Sequence, residues 1–121
     1  MAWQGNESSP GLLPDDTTED TLAQNASVAV LPIGSFEQHG KYLPLATDTL
    51  IASAIAHEIA KAYPVVRLPP LTVSCSHEHE AWPGTVSISA STLYAVVHDM
   101  AQSLHRRGIS RLVLLNAHGG N

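Results

Sequence analysis

Four side chains able to bind a metal ion lie on two short stretches of this chain. Glu37 and His39 stand two apart, Asp48 follows eleven residues after Glu37, and His118 comes three residues before Asn121. In extended chain a spacing of two puts side chains on the same side, so Glu37 and His39 can converge on one point. Imidazoles and carboxylates together suit Zn²⁺, Mn²⁺ or Fe²⁺, whereas Ca²⁺ and Mg²⁺ prefer oxygen ligands alone. With two acids among four groups, one carboxylate could bridge two ions. Each residue also has a plainer reading. Glu-x-His in a loop is usually solvated, and His118 before Gly119-Gly120 could cap a following helix. Taken singly, the residues leave both readings open.

The elements that must position these groups follow from periodicity and punctuation. Ser27–Ile33 is rich in β-branched residues and almost wholly apolar, as for a central strand buried on both faces. Gly34 to Thr47 is a loop, and Asp48–Tyr63 is expected as a helix whose apolar stripe is Ile51, Ile55, Ile59 and Ala62, limited by Pro64. Val65–Arg67 and Leu71–Ser74 are short extended segments around Pro69-Pro70. Ser76–Thr85 is a second loop, with Val86–Ser89 as a short strand after it. Ser91–Arg107 has the clearest helical pattern, with Leu93, Val96, Val97, Met100, Ala101 and Leu104 on one face and Gly108 as the cap. Arg111–Asn116 is a second buried strand.

Strands alternating with helices imply an α/β fold, a three-layer α/β/α sandwich on a mostly parallel sheet. In such sheets ligands bind beyond the carboxyl ends of the strands. Both loops carrying the four groups leave strands at that edge, beside glycines that allow close backbone approach. Residues 1–26 read as an arm, loose from Met1 to Leu13, with a capping box from Asp16 to Glu19 opening a short helix over Thr17–Gln24. Residues 27–121 read as the N-terminal part of one domain. Two strands buried on both faces need neighbours, so the sequence is expected to be part of a longer domain, cut after the strand leading to His118.

Composition narrows the classes further. Of 121 residues, 44% are hydrophobic and 14% charged, as in a globular protein with a buried core. The formal net charge is −5, and no Lys or Arg precedes Lys41. Phosphate backbones need clustered cations, so no nucleic-acid partner is expected. The longest apolar runs are too short for a bilayer, and no basic amphipathic stretch suits a membrane surface. The single cysteine, Cys75, fits a reducing, cytoplasmic setting, and the first residues do not have the pattern of a secretory leader.

Three motifs carry a resemblance. Leu31-Pro-Ile-Gly-Ser-Phe-Glu-Gln-His-Gly-Lys-Tyr-Leu-Pro-Leu-Ala-Thr-Asp48, Trp82-Pro-Gly-Thr85 and Leu115-Asn-Ala-His-Gly-Gly-Asn121 occur in this order from Val28 to the last residue. They resemble the signatures of the creatininase family. The resemblance implies that Glu37, His39, Asp48 and His118 are metal ligands, with Asp48 bridging two divalent ions (Zn, Mn or Fe). It also implies a homo-oligomer, commonly a hexamer, acting on a small-molecule amide by C–N bond hydrolysis through a metal-activated water. It puts His79 near the wall of the active site and His77 at the surface. Within this chain Glu78 or His79 could protonate the leaving nitrogen. Trp82 is either a core anchor or part of the substrate pocket.

Two departures alter these implications. Lys41-Tyr42 stands where the family often has Pro-His, which changes the entrance to the site. Creatininase itself has a glutamate ligand two residues after the histidine matched by His118, and this chain has Gly120 there. A second-ion ligand must then come from elsewhere or be missing, which argues against creatinine as substrate. A different class of reading is a non-catalytic metal-binding or oligomerisation fragment of such an enzyme.

Overall fold

The central strand organises the fold, in a computed structural model that describes residues 11–121. The arm expected over Met1–Leu13 lies outside these residues as far as residue 10. Strand β1 (Val28–Ile33) is buried along nearly its whole length. It pairs in parallel with β2 (Val66–Arg67) on one side and β3 (Arg111–Asn116) on the other, giving the order β2-β1-β3. Helix α2 (Thr47–Ala62) connects β1 to β2, and α3 (Ala90–Arg106) precedes β3. The chain thus steps to one side of β1 and then crosses to the other. With right-handed crossovers, this reversal puts α2 and α3 on opposite faces of the sheet. It also makes the carboxyl end of β1 the switch point, where the two connections part and leave a crevice.

Register brings the two candidate loops together. Val28 is opposite Arg111 and Ile33 opposite Asn116, so β1 and β3 end at the same level. The Ala117 N–H donates to the Ile33 carbonyl at 3.0 Å, which continues the ladder one step into the loop.

Several elements differ from expectation. Helix α2 does not turn its isoleucine stripe inward: Ile51 and Ile55 are 48% and 45% exposed, while Thr49, Ala52, Ser53 and Ala56 are buried. The reason is close approach. Added to Gly34, a Cβ would collide with the backbone of Thr49, so the helix seats its smallest side chains against the sheet. Strand β3, expected to be buried, is at the edge of this sheet, and Val113 and Leu114 are 46% and 50% exposed. Val86–Ser89 forms no strand; it contributes one antiparallel bridge, Val86 to Phe36.

Helix α3 follows its expected span within a residue, capped by the Ser89 hydroxyl and followed by Gly108 at φ 86°. The short helix α1 (Thr18–Gln24) is capped one residue later than expected. Thr17 and Asp20 form the box, with the Thr17 N–H donating to Asp20 at 2.8 Å and the Asp20 N–H donating to the Thr17 hydroxyl at 3.2 Å. The Thr17 N–H bond to the carboxylate, helped by the Thr17 hydroxyl beside it, favours the ionised acid and holds Asp20 below the usual aspartate value. Among the described residues no helix is long and apolar enough to cross a membrane.

Candidate metal centre

Beyond Ile33 the chain stays extended through the Gly-Ser-Phe-Glu segment, so Ser35, Glu37 and His39 share one side. Ser35 and Glu37 are buried there. Asp48 enters from the first turn of α2, where the positive end of the helix dipole favours a carboxylate. His118 enters from the loop after β3. Its Asn-Ala-His-Gly-Gly-Asn segment is tied from within. The Asn116 amide donates to the His118 carbonyl at 2.9 Å, and Asn116 Oδ1 accepts from the His118 N–H at 3.2 Å. Asn121 Oδ1 accepts from the Cys75 N–H at 3.1 Å, which ties this loop to the neighbouring one.

The four groups meet. Glu37, His39 and Asp48 each offer a ligand atom within 4.8 Å of the others. His118 Nδ1 is 2.9 Å from Asp48 Oδ2 and 3.5 Å from Glu37 Oε1. His39 Nε2 is 3.0 Å from the other Asp48 oxygen, Oδ1. Asp48 therefore faces a different imidazole with each of its oxygens. Ser35 Oγ donates to Asp48 Oδ2 at 2.8 Å and fixes the plane of the carboxylate.

The far nitrogens of both imidazoles are fixed by backbone carbonyls. His39 Nδ1 donates to the Glu37 carbonyl at 3.0 Å, and His118 Nε2 donates to the Cys75 carbonyl at 2.7 Å. A carbonyl only accepts, so the inner nitrogen of each neutral ring is left as a bare lone pair facing the carboxylates. That is the pattern by which outer partners orient histidines toward metals. Glu37 Oε2 is buried with no hydrogen-bond partner, the kind of vacancy a cation fills. The donor set and this orphaned oxygen fit a divalent ion. His39 is held above the usual histidine value, first by its bond to the Glu37 carbonyl and then by the nearby Asp48 and Glu37 carboxylates, against the opposing effect of burial.

Glu78 and His79 line the same cleft of about 420 Å³ as Glu37, His39, Asp48, His118 and Gly120. The cleft thus gathers all six residues singled out in the sequence. His77, by contrast, is exposed on the same 3-10 turn. Trp82 is 56% exposed and belongs neither to the core nor to the lining of this cleft. Gly120 is sterically constrained: a Cβ there would come within 2.6 Å of both the Cys75 carbonyl and His118 Nε2. A side chain at 120 would therefore force the Cys75 carbonyl or the His118 ring to shift.

Sequence reasoning missed three contributors: Ser35, Gln38 and the Cys75 carbonyl. Ser35 was within reach, because it shares the i, i+2 phase of Glu37 and His39. The Cys75 carbonyl had no sequence signal, since any residue type supplies one.

Fold and cleft together define a doubly wound α/β protein with a carboxylate–imidazole site at its switch point. The chain belongs to the creatininase family, whose model, described as creatinine amidohydrolase, matches residues 15–121. It is 38% identical over 111 residues to the mycofactocin precursor peptide peptidase of Mycolicibacterium smegmatis, covering 87% of this chain and 44% of that protein. It is 32% identical over 108 residues to the creatinine amidohydrolase of Pseudomonas putida, covering 85% and 42%. Among solved structures, a creatininase variant described as Zn-Zn type aligns with a TM-score of 0.77 and 30% identity over 91% of this chain and 46% of its own. The chain spans less than half the length of the curated relatives it matches.

Proposed function

We propose that this chain supplies the metal-binding half of a hydrolase that cleaves an amide C–N bond, with two divalent ions held by Glu37, His39, Asp48 and His118. One observation carries the proposal. Two imidazoles turn bare nitrogens toward the two separate oxygens of Asp48, beside the buried and unpartnered Glu37 Oε2. Glu37, Asp48 Oδ2 and His118 Nδ1 would hold one ion; Asp48 Oδ1 and His39 Nε2 would hold the other. The Zn-Zn description of a related creatininase supports a paired site. When bound, such ions supply a nucleophilic water near neutral pH and polarise a carbonyl.

The chain's own residues account for the remaining requirements. Ser35 keeps Asp48 oriented, and the Cys75 and Glu37 carbonyls keep both imidazoles in the tautomer that binds metal. His79 and Glu78, which line the same cleft, are the candidates to hand a proton to the leaving nitrogen. Because position 120 is a glycine and offers no carboxylate, a second ion would have fewer protein ligands than the first, and a substrate other than creatinine is favoured. The peptidase relative supports a linear amide. A homo-oligomer is carried over from the family resemblance, and a cytoplasmic setting fits the lone, buried Cys75.

The test is amide hydrolysis by this chain and by a chain extended past Asn121, each with Zn²⁺ or Mn²⁺ and after chelation. The expected result is chelator-sensitive release of amine, lost in Asp48→Ala. Hydrolysis that survives both chelation and Asp48→Ala contradicts the proposal.

A further inference from the structure

Three histidines wall the cleft, and the third is wired in the opposite sense to the other two. His39 and His118 each have a carbonyl behind them, which takes the outer proton and leaves the inner nitrogen bare. Behind His79 stands the side-chain amide of Gln38, with its nitrogen 2.8 Å from His79 Nδ1. The orientation of that amide is set by its other end, because Gln38 Oε1 accepts from the Gly40 N–H at 3.0 Å. Flipping the amide would set its NH₂ group against the Gly40 N–H, donor against donor. The amide nitrogen therefore faces His79 and can only donate. His79 Nδ1 must accept, and in the neutral ring the proton sits on Nε2, the nitrogen 4.0 Å from Glu37 Oε1.

Gln38 is itself anchored. Its backbone N–H donates to Thr85 Oγ1 at 3.0 Å, so the Trp82-Pro-Gly-Thr85 segment clamps the residue that faces His79. The missing carboxylate at Gly120 makes His79 the obvious substitute ligand for a second ion, since it lines the same cleft. Its hydrogen bonding points the other way.

We propose that Gln38 is a positioning residue that locks His79 with its Nε2–H toward the cleft, making His79 a hydrogen-bond donor to substrate and not a metal ligand. This deepens the proposed function and rests on its assignment of His39 and His118 as ligands. A donor aimed into the cleft is suited to an amide oxygen that gains charge during attack.

The test uses the ¹⁵N-labelled chain and long-range ¹H–¹⁵N spectra of its imidazoles, recorded with and without Zn²⁺ at a pH where the rings are neutral. His79 is expected as the Nε2–H form both before and after Zn²⁺. The inner nitrogens of His39 and His118 are expected to shift on addition. In Gln38→Glu the carboxylate accepts from both Gly40 and His79, so His79 should move to the Nδ1–H form. The proposal is overturned if His79 is Nδ1–H in the unaltered chain, if Zn²⁺ shifts its Nε2, or if Gln38→Glu leaves its tautomer unchanged. Should Gln38→Glu fail to fold, the unaltered chain still decides through the first two readings. A lack of response at His39 and His118 would instead sink the metal reading, and the His79 tautomer would remain readable beside it.

Discussion

Asp48 has a different neighbour on each oxygen, and Ser35 controls how both are presented. Ser35→Ala removes a partner outside the ligand set and leaves every ligand in place. Such partners typically contribute about 10–100-fold in metal affinity, so a competition titration with a chromogenic chelator should show a loss of that order. Unchanged affinity would mean that the Asp48 plane is set by something else. His39 gives a pH signature. A proton on Nε2 competes with a cation, and the pKa of His39 is raised above 6.5. Affinity for Zn²⁺ should therefore weaken as pH falls through that raised value, with proton release on binding above the ordinary histidine range. For the metal-free fold the sign is opposite. The raised pKa adds stability that is full below the unfolded value and lost as pH rises through the folded one. Titrations between about pH 5 and 8 separate the two effects. At this scale the sequence was informative about identity and silent about wiring. Glu37, His39, Asp48 and His118 were picked out by type and spacing, whereas Glu78 and His79 were named only beside the family resemblance. Tautomers, which depend on distant carbonyls and one amide, were not legible.

Between elements, two glycines determine how closely the parts can approach. Gly34 lets α2 lie on the end of β1, and Gly120 lets His118 reach the Cys75 carbonyl. Gly34→Ala places a methyl group against the Thr49 backbone and should cost about 1–3 kcal/mol, as overpacking does, measured by urea unfolding. An unchanged midpoint would show that α2 can slide away freely. The same contact explains why the face of α2 was misread. Periodicity identifies the most hydrophobic stripe, Ile51 and Ile55, but close approach selects the smallest one, Ala52, Ser53 and Ala56. Helix α3 has no such constraint, and its span was legible from pattern and cap alone. The Asp16 and Thr17 boxes have the same spacing, so sequence could not choose between them.

Across the whole molecule the parallel pairing was implied by the alternation of strands and helices, whereas the order β2-β1-β3, and with it the switch point at β1, was not, because alternation does not fix which strands are neighbours. The exposure of β3 was not legible, because an apolar run has the same composition in the middle of a sheet as at its edge. Among the described residues β3 pairs only with β1, and Val113 and Leu114 are half exposed. Open apolar edges recruit other chains. Sedimentation velocity should show concentration-dependent association of this chain, reduced in Leu114→Lys; a monomer at all concentrations would contradict that reading. The central claim is that the cleft is a metal centre, and metal content by elemental analysis after exposure to Zn²⁺ and desalting tests it most directly. Up to two bound ions per chain are expected, with loss of both in Asp48→Ala and of one in His39→Ala. A chain that retains no zinc, or retains the same amount in both variants, contradicts it.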